Sequence, residues 1–346
     1  MIHDPATALC GCLLGQALGD ALGFVVEARP AAVAREYVED HLLAGRAGRW
    51  AHPDFPFGQY SDDTQLTREL LLSFEEARGW SPEAYAARLA AFFGEGRDVG
   101  AGPGTRAAAR RLLEGTPWQE AGTPAPYAGN GSAMRAGPLG LLFTGDEDLT
   151  RAAAEQSGIT HRDPRCAAGS VAVATAVALA TARRRVHADD FLVALAERAA
   201  GFDRSVADAV AGLAGWAALP PTAAALHLRA ARLDPAHAEE WQGISAYVIP
   251  SVVWSLYAFL RSPDDYWATI CTAIGVGGDT DTMAAIAGAI SGARLGPDAL
   301  PASLLARVND RGAWGAEPLA GLARRCAALG AGGAGVIVRD RPQLRG

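Results

Sequence analysis

Within residues 7–23, a run of mostly apolar residues, glycine recurs every fourth position at Gly11, Gly15 and Gly19. On a helix, that spacing stacks the glycines along one face. A face without side chains lets a second backbone come very close, so this segment demands a tightly packed helical partner. Residues 66–77, 82–93, 105–113, 164–185, 188–200, 205–217, 222–232, 247–260, 266–274 and 282–295 also read as helices. Period-2 alternation is missing; the one strand signal is Val336-Ile337-Val338. An all-α fold is therefore expected. The irregular stretches 46–60, 93–104 and 115–137 are long enough to carry function.

Half of the 346 residues are hydrophobic, enough for a large core, and no polar linker divides them. A single domain over 1–346 is expected. Residues 1–23 lack a basic start and contain Asp4 and Asp20, so they read as a core helix rather than a secretion signal. The uncharged run 166–182 falls short of the ~20 residues that a membrane span needs. The formal net charge is −7, which gives no general field for nucleic acid. Five cysteines, an odd number without a CxxC pair, read as buried thiols in a reducing cytoplasm. A monomer is expected.

Two acidic clusters carry the chemistry. Ser61-Asp62-Asp63-Thr64 and Asp279-Thr280-Asp281-Thr282 each open an apolar helix, the second after Gly277-Gly278. One such residue caps a helix and complements its dipole. Several acids on one turn repel each other, and a cation relieves that repulsion. Carboxylates and hydroxyls are hard ligands suited to Mg²⁺ or Mn²⁺. If the two helix starts converge, they supply a two-metal site. No two of the seven histidines have metal-ligand spacing, which argues against zinc.

Gly129-Asn130-Gly131-Ser132-Ala133-Met134-Arg135 lies in a Pro/Gly-rich loop. It reads either as an ordinary turn or as a cradle of backbone N–H groups for a phosphate, with Arg135 as an added donor. His161 precedes an interior helix and reads as a capping or surface residue. Glu27 is a helix-end acid of the kind that is usually solvated; its neighbours Phe24, Val25 and Val26 leave room for partial burial, which would raise its pKa toward that of a useful acid or base.

Taken in order, these motifs resemble the ADP-ribosylglycohydrolase family. The resemblance runs over 9–296, leaving 297–346 as a C-terminal extension. It rests on Gly11-x₃-Gly15-x₃-Gly19-Asp20-x₂-Gly23-x₃-Glu27, the Ser61 and Gly129 motifs, Thr160-His161, and Gly277-Gly278-Asp279-Thr280-Asp281-Thr282. It implies a compact, mostly orthogonal helical bundle around a dinuclear centre of Mg²⁺ or Mn²⁺. Ser61, Asp62, Asp63, Asp279, Asp281 and Thr282 would be the ligands. Glu27 would stand near the scissile bond, with Glu27 or Asp62 as the base. Gly129, Asn130, Gly131, Ser132 and Met134 would hold diphosphate and ribose, and His161, Asp98 and Tyr247 would contact the substrate. The implied activity is hydrolysis of ADP-ribose from a modified protein or small molecule, with arginine as the expected acceptor and serine-linked ADP-ribose or a non-catalytic binding role as alternatives.

Overall fold

A computed structural model of the chain describes residues 3–182, 184–230 and 241–331. Among them the structure contains seventeen α-helices and no strand, only isolated β-bridges. In chain order these are α1 (Pro5–Gly23), α2 (Ala31–Tyr37), α3 (Asp62–Ala77), α4 (Pro82–Gly94), α5 (Pro103–Leu113) and α6 (Trp118–Ala121). Then follow α7 (Leu139–Leu142), α8 (Asp146–Thr160), α9 (Pro164–Ala182), α10 (Ala188–Ala199), α11 (Arg204–Gly212) and α12 (Pro221–Ala230). The last are α13 (Val248–Arg261), α14 (Tyr266–Ile274), α15 (Thr280–Leu295), α16 (Ala302–Leu305) and α17 (Ala316–Ala331). The all-α expectation holds. The strand signal at Val336-Ile337-Val338 lies outside the described residues.

The partner demanded by the glycine spacing is α15, which runs antiparallel to α1. A Cβ built on Gly11 would stand 2.1 Å from the Gly292 carbonyl oxygen, one on Gly15 2.4 Å from that of Gly288, and one on Gly19 2.2 Å from that of Ala284. The last rung is at Gly23, where a Cβ would stand 2.3 Å from the Thr280 oxygen, and Thr280 Oγ1 donates to the Gly23 carbonyl at 2.8 Å. Both helices step by four residues per rung, so only one register satisfies every contact. Helices α9, α13 and α14 pack around α15 from its other sides. The buried apolar residues extend from Leu9 to Ala327.

Two helices, Pro5–Val26 and Pro164–Ala182, are long and apolar enough to cross a membrane by length and composition alone. Their apolar windows are 100% and 67% buried within the bundle, which accounts for their composition as core helices.

The segment after Gly296 is woven into the bundle. Asp310 accepts from the fully buried Arg68 at 2.8 Å and from Gln65 at 3.0 Å. Arg68 also pairs with Glu69 at 3.1 Å and stands over the Trp314 ring. Helix α17 packs on α1 and α3, where Cys326 donates to the Leu71 carbonyl at 3.3 Å.

The α1–α15 contact predicts opposite outcomes for two glycine substitutions. Gly15→Ala must push the helices apart, and a loss of about 1–3 kcal/mol is expected from overpacking. Gly158→Ala, in α8 with nothing within 4 Å of its Cβ, should instead gain about 0.5–1 kcal/mol from helix propensity. Urea unfolding of the two variants beside wild type checks the contrast.

Candidate active site

Antiparallel register delivers the start of α15 to the end of α1. Helix α3 begins beside them, and the two acidic clusters touch: Thr282 Oγ1 donates to Asp63 Oδ2 at 3.2 Å. Ser61 Oγ donates to the same oxygen at 3.1 Å. The convergence expected of the two helix starts is therefore a direct hydrogen bond.

Glu27 joins them through a backbone arrangement that only glycine permits. Gly277 and Gly278 have φ of +75° and +88°. A Cβ on Gly278 would lie 2.1 Å from the Ile244 carbonyl oxygen. The Gly278 carbonyl accepts from Ala28 N at 2.8 Å, and its N–H donates to Arg29 O at 3.2 Å. The residues after Glu27 are thus stapled to the residues before Asp279. Ligand atoms of Glu27, Asp279 and Asp281 all lie within 4.8 Å of one another.

These acids face a cleft of about 260 Å³, whose lining contains Glu27, Asp62, Asp63, Asp279, Asp281 and Thr282 and, among the described residues, no arginine. Burial first, and mutual repulsion second, push Glu27 up to about 10. The same causes raise Asp62, Asp63 and Asp279 well above the usual carboxylate range. Burial also raises Asp281, against hydrogen bonds that lower it. Asp63 Oδ1 and Asp281 Oδ1 are buried without any hydrogen-bond partner. Leaving such oxygens unsatisfied is costly. A hard divalent cation is the ligand that this donor set fits, because it meets both the charge and the empty lone pairs.

The loop of the Gly129 motif forms the next wall. Gly129, Asn130, Gly131 and Met134 line the cleft. Asn130 N donates to Ala246 O at 3.0 Å, and its Nδ2 donates to Ser251 Oγ at 2.9 Å and to the Asp279 carboxylate. The loop is therefore tied to the acidic centre by a side chain. The N–H group of Gly131, which lines the cleft, donates to nothing among the described residues, which leaves it available to an anion. His161 also lines the cleft, stacked on Tyr127 at 5.8 Å between ring centroids, and its Nδ1 is 2.8 Å from Thr160 Oγ1. Burial, then the nearby Arg135, lower its pKa to about 3, so the ring is neutral at pH 7.

Arg135 departs from its expected role. Its guanidinium is buried and donates to the Gly131 carbonyl, to Gln156 and to Thr160 Oγ1. It braces the loop from behind and offers nothing to a phosphate. Four other expected contacts also lie outside the cleft lining. Ser61 is buried, its hydroxyl donating to Asp63 Oδ2. The Ser132 hydroxyl is buried with those of Ser157 and Ser170. Asp98 pairs with Arg106 at 2.6 Å. The Tyr247 hydroxyl accepts from Arg165.

The ADP-ribosylglycohydrolase family model matches residues 1–334. The chain belongs to the ADP-ribosylglycohydrolase family. Its activity is accordingly hydrolysis of an ADP-ribose linkage. The family match extends past Gly296, where the sequence resemblance stopped, and takes in the segment that carries Asp310. Human ADP-ribosylhydrolase ARH3 is 30% identical over 323 residues, covering 85% of this chain and 86% of that protein. The ADP-ribosyl-[dinitrogen reductase] glycohydrolase of Rhodospirillum rubrum is 29% identical, covering 89% of this chain and 91% of that protein. A solved structure titled "ADP-ribosylglycohydrolase-related protein complex" superposes with a TM-score of 0.71 at 26% identity, covering 94% of this chain and 99% of that one.

Within this family member, some residues of the site escaped the sequence reading. Thr105, Tyr127 and Trp241 line the cleft. Tyr127 stands two residues before Gly129, and an aromatic beside a glycine loop was its only signal. Asp20 does not line the cleft, yet it accepts hydrogen bonds from the start of α3.

The acidic centre predicts how stability follows pH. Glu27, with an ordinary value of 4.5, and Asp20, with 3.8, titrate near 10 and 7 in the folded chain. Their contribution to stability is complete below the ordinary values and is lost as pH rises through the folded ones. In EDTA, the melting temperature should fall between pH 5.5 and 8, and Glu27→Gln should make that fall shallower. An equally steep fall in Glu27→Gln would count against this electrostatic account.

Proposed function

We propose that this hydrolase frees arginine side chains of a modified protein by cleaving the glycosidic bond at the anomeric carbon of ADP-ribose. Two divalent cations, Mg²⁺ or Mn²⁺, would be held by Ser61, Asp62, Asp63, Asp279, Asp281 and Thr282. The observation that carries the reading is the meeting of the two helix starts beside Glu27, with unsatisfied carboxylate oxygens facing a cleft. Glu27 is close enough to Asp279 and Asp281 to share a cation with them.

When bound, such cations supply positive charge that orients ribose oxygens and acidifies water. The chain's own residues do the rest. Asp62 or Glu27 takes the proton of the attacking water. Rupture of the bond develops oxocarbenium character at the anomeric carbon, which the surrounding carboxylates stabilise. The Gly131 N–H holds the diphosphate, and the neutral His161–Tyr127 pair offers an uncharged flat face to the nucleoside. Binding energy spent there orients the ribose over the carboxylates.

A lining of carboxylates without arginine among the described residues favours a cationic guanidinium as the acceptor. The Rhodospirillum rubrum relative is named for a modified protein, which supports a protein substrate. All five cysteines are buried and unpaired, in keeping with a reducing cytoplasm, where we place the chain as a monomer.

EDTA should abolish hydrolysis, and Mg²⁺ or Mn²⁺ should restore it. Asp62→Ala and Asp281→Ala should each cost at least about 10²-fold in kcat, with circular dichroism unchanged. Turnover near wild type in either variant would refute the assignment. A parallel assay of ADP-ribosyl-arginine, ADP-ribosyl-serine and a generic phosphoester decides the acceptor. Preference for the serine linkage would replace arginine, and binding without turnover on every substrate would make the chain a binding protein.

A further inference from the structure

The site as described leaves one buried carboxylate without a role. Asp20 sits near the end of α1, fully buried, and does not line the cleft. Its Oδ1 accepts from Ser61 N at 2.8 Å. Its Oδ2 accepts from Thr64 N at 3.0 Å and from Thr64 Oγ1 at 2.6 Å. These donors bracket the first turn of α3, the turn that carries Asp62 and Asp63.

A helix start exposes N–H groups that need acceptors. The residue that normally supplies one is the cap itself, through its side-chain oxygen to the second or third N–H. Here the cap is Ser61, and its hydroxyl takes only a long bond of 3.3 Å from Asp63 N. The third position, Thr64 N, is served by Asp20 from another helix. Ser, Asp and Thr at helix starts otherwise tend to fold back onto their own backbone. One turn earlier on α1, Gln16 Nε2 donates to the Asp63 carbonyl at 3.0 Å and to the Met134 carbonyl at 3.1 Å. The same helix therefore grips the backbone on both sides of Asp62.

We infer that Asp20 is a positioning residue: it caps α3 from outside, so that the Asp62 and Asp63 carboxylates stay turned to the cleft for divalent cations. The inference rests on the cation reading of the centre proposed above. It assigns Asp20 no contact with substrate or with the cations.

The test is calorimetric titration of Mn²⁺ into the chelator-stripped full chain, comparing wild type, Asp20→Asn and Thr64→Val, each first shown to be folded by circular dichroism. Asp20→Asn keeps the side chain's size but turns an amide donor toward donors. Its Mn²⁺ affinity should fall about 10–100-fold, as is typical when a residue supporting metal ligands is altered. Thr64→Val removes a donor to Asp20 without changing any charge, and its affinity should fall in the same direction. No Mn²⁺ binding by wild type would sink the cation reading itself. Wild-type affinity in Asp20→Asn would overturn the role of Asp20 alone. A loss in Asp20→Asn with none in Thr64→Val would mean that Asp20 acts through its charge, which also overturns the positioning role. Should Asp20→Asn not fold, Thr64→Val decides.

Discussion

The close approach of α1 to α15 is the contact on which the remaining structure depends. Carbonyl oxygens of Gly292, Gly288, Ala284 and Thr280 occupy the places where side chains of residues 11, 15, 19 and 23 would be. Dispersion at such short range is strong, and it falls away steeply with any separation. The contact also sets register. Slipping by one four-residue rung would carry Asp281 about 6 Å along the axis, since each helical residue rises about 1.5 Å. Glu27, Asp279 and Asp281 would then no longer share a neighbourhood. A packing motif built from the smallest residues thus fixes the spacing of the acids.

The acidic centre works against the fold that surrounds it. Its carboxylates are buried beside one another, and no arginine lines the cleft among the described residues. What restrains them is a set of neutral donors drawn from separate elements: Asn130 on Asp279, Thr282 and Ser61 on Asp63. Neutral donors orient a carboxylate while leaving its charge for a ligand, whereas a paired arginine would consume both. Arg135 illustrates the same division. It stands behind the loop and braces the Gly131 carbonyl, so its charge is not presented to the cleft.

Much of this was legible in the sequence, and the parts that were not have physical reasons. The glycine interval announced a close helix partner, and the clustered acids at two helix starts announced a shared centre. Both signals are local and repeat with the helical period. The direction of Arg135 was hidden, because it depends on Gln156 and Thr160 of α8. That helix was itself missed: its start, at Gly145, carries no side-chain cap. Helix α17 was missed as well. Leu319, Leu322 and Cys326 do follow a helical interval, but Pro318, Gly321 and Gly330 obscure it. The role of Asp20 could not be read at all, since its partners lie more than forty positions away and nothing local distinguishes it from an ordinary end-of-helix acid.

Time during synthesis is a consequence of the α1–α15 pairing. Helix α1 has its matching surface in the much later α15, with residues 24–279 made in between. At roughly 5–20 residues per second, that interval lasts on the order of tens of seconds. Throughout it, the emerging chain carries an uncovered greasy face that no earlier helix can fill. Pairings of such wide separation are slow to form. The order of the helices along the chain thus makes this pairing a late event, which can close only after α15 has been made.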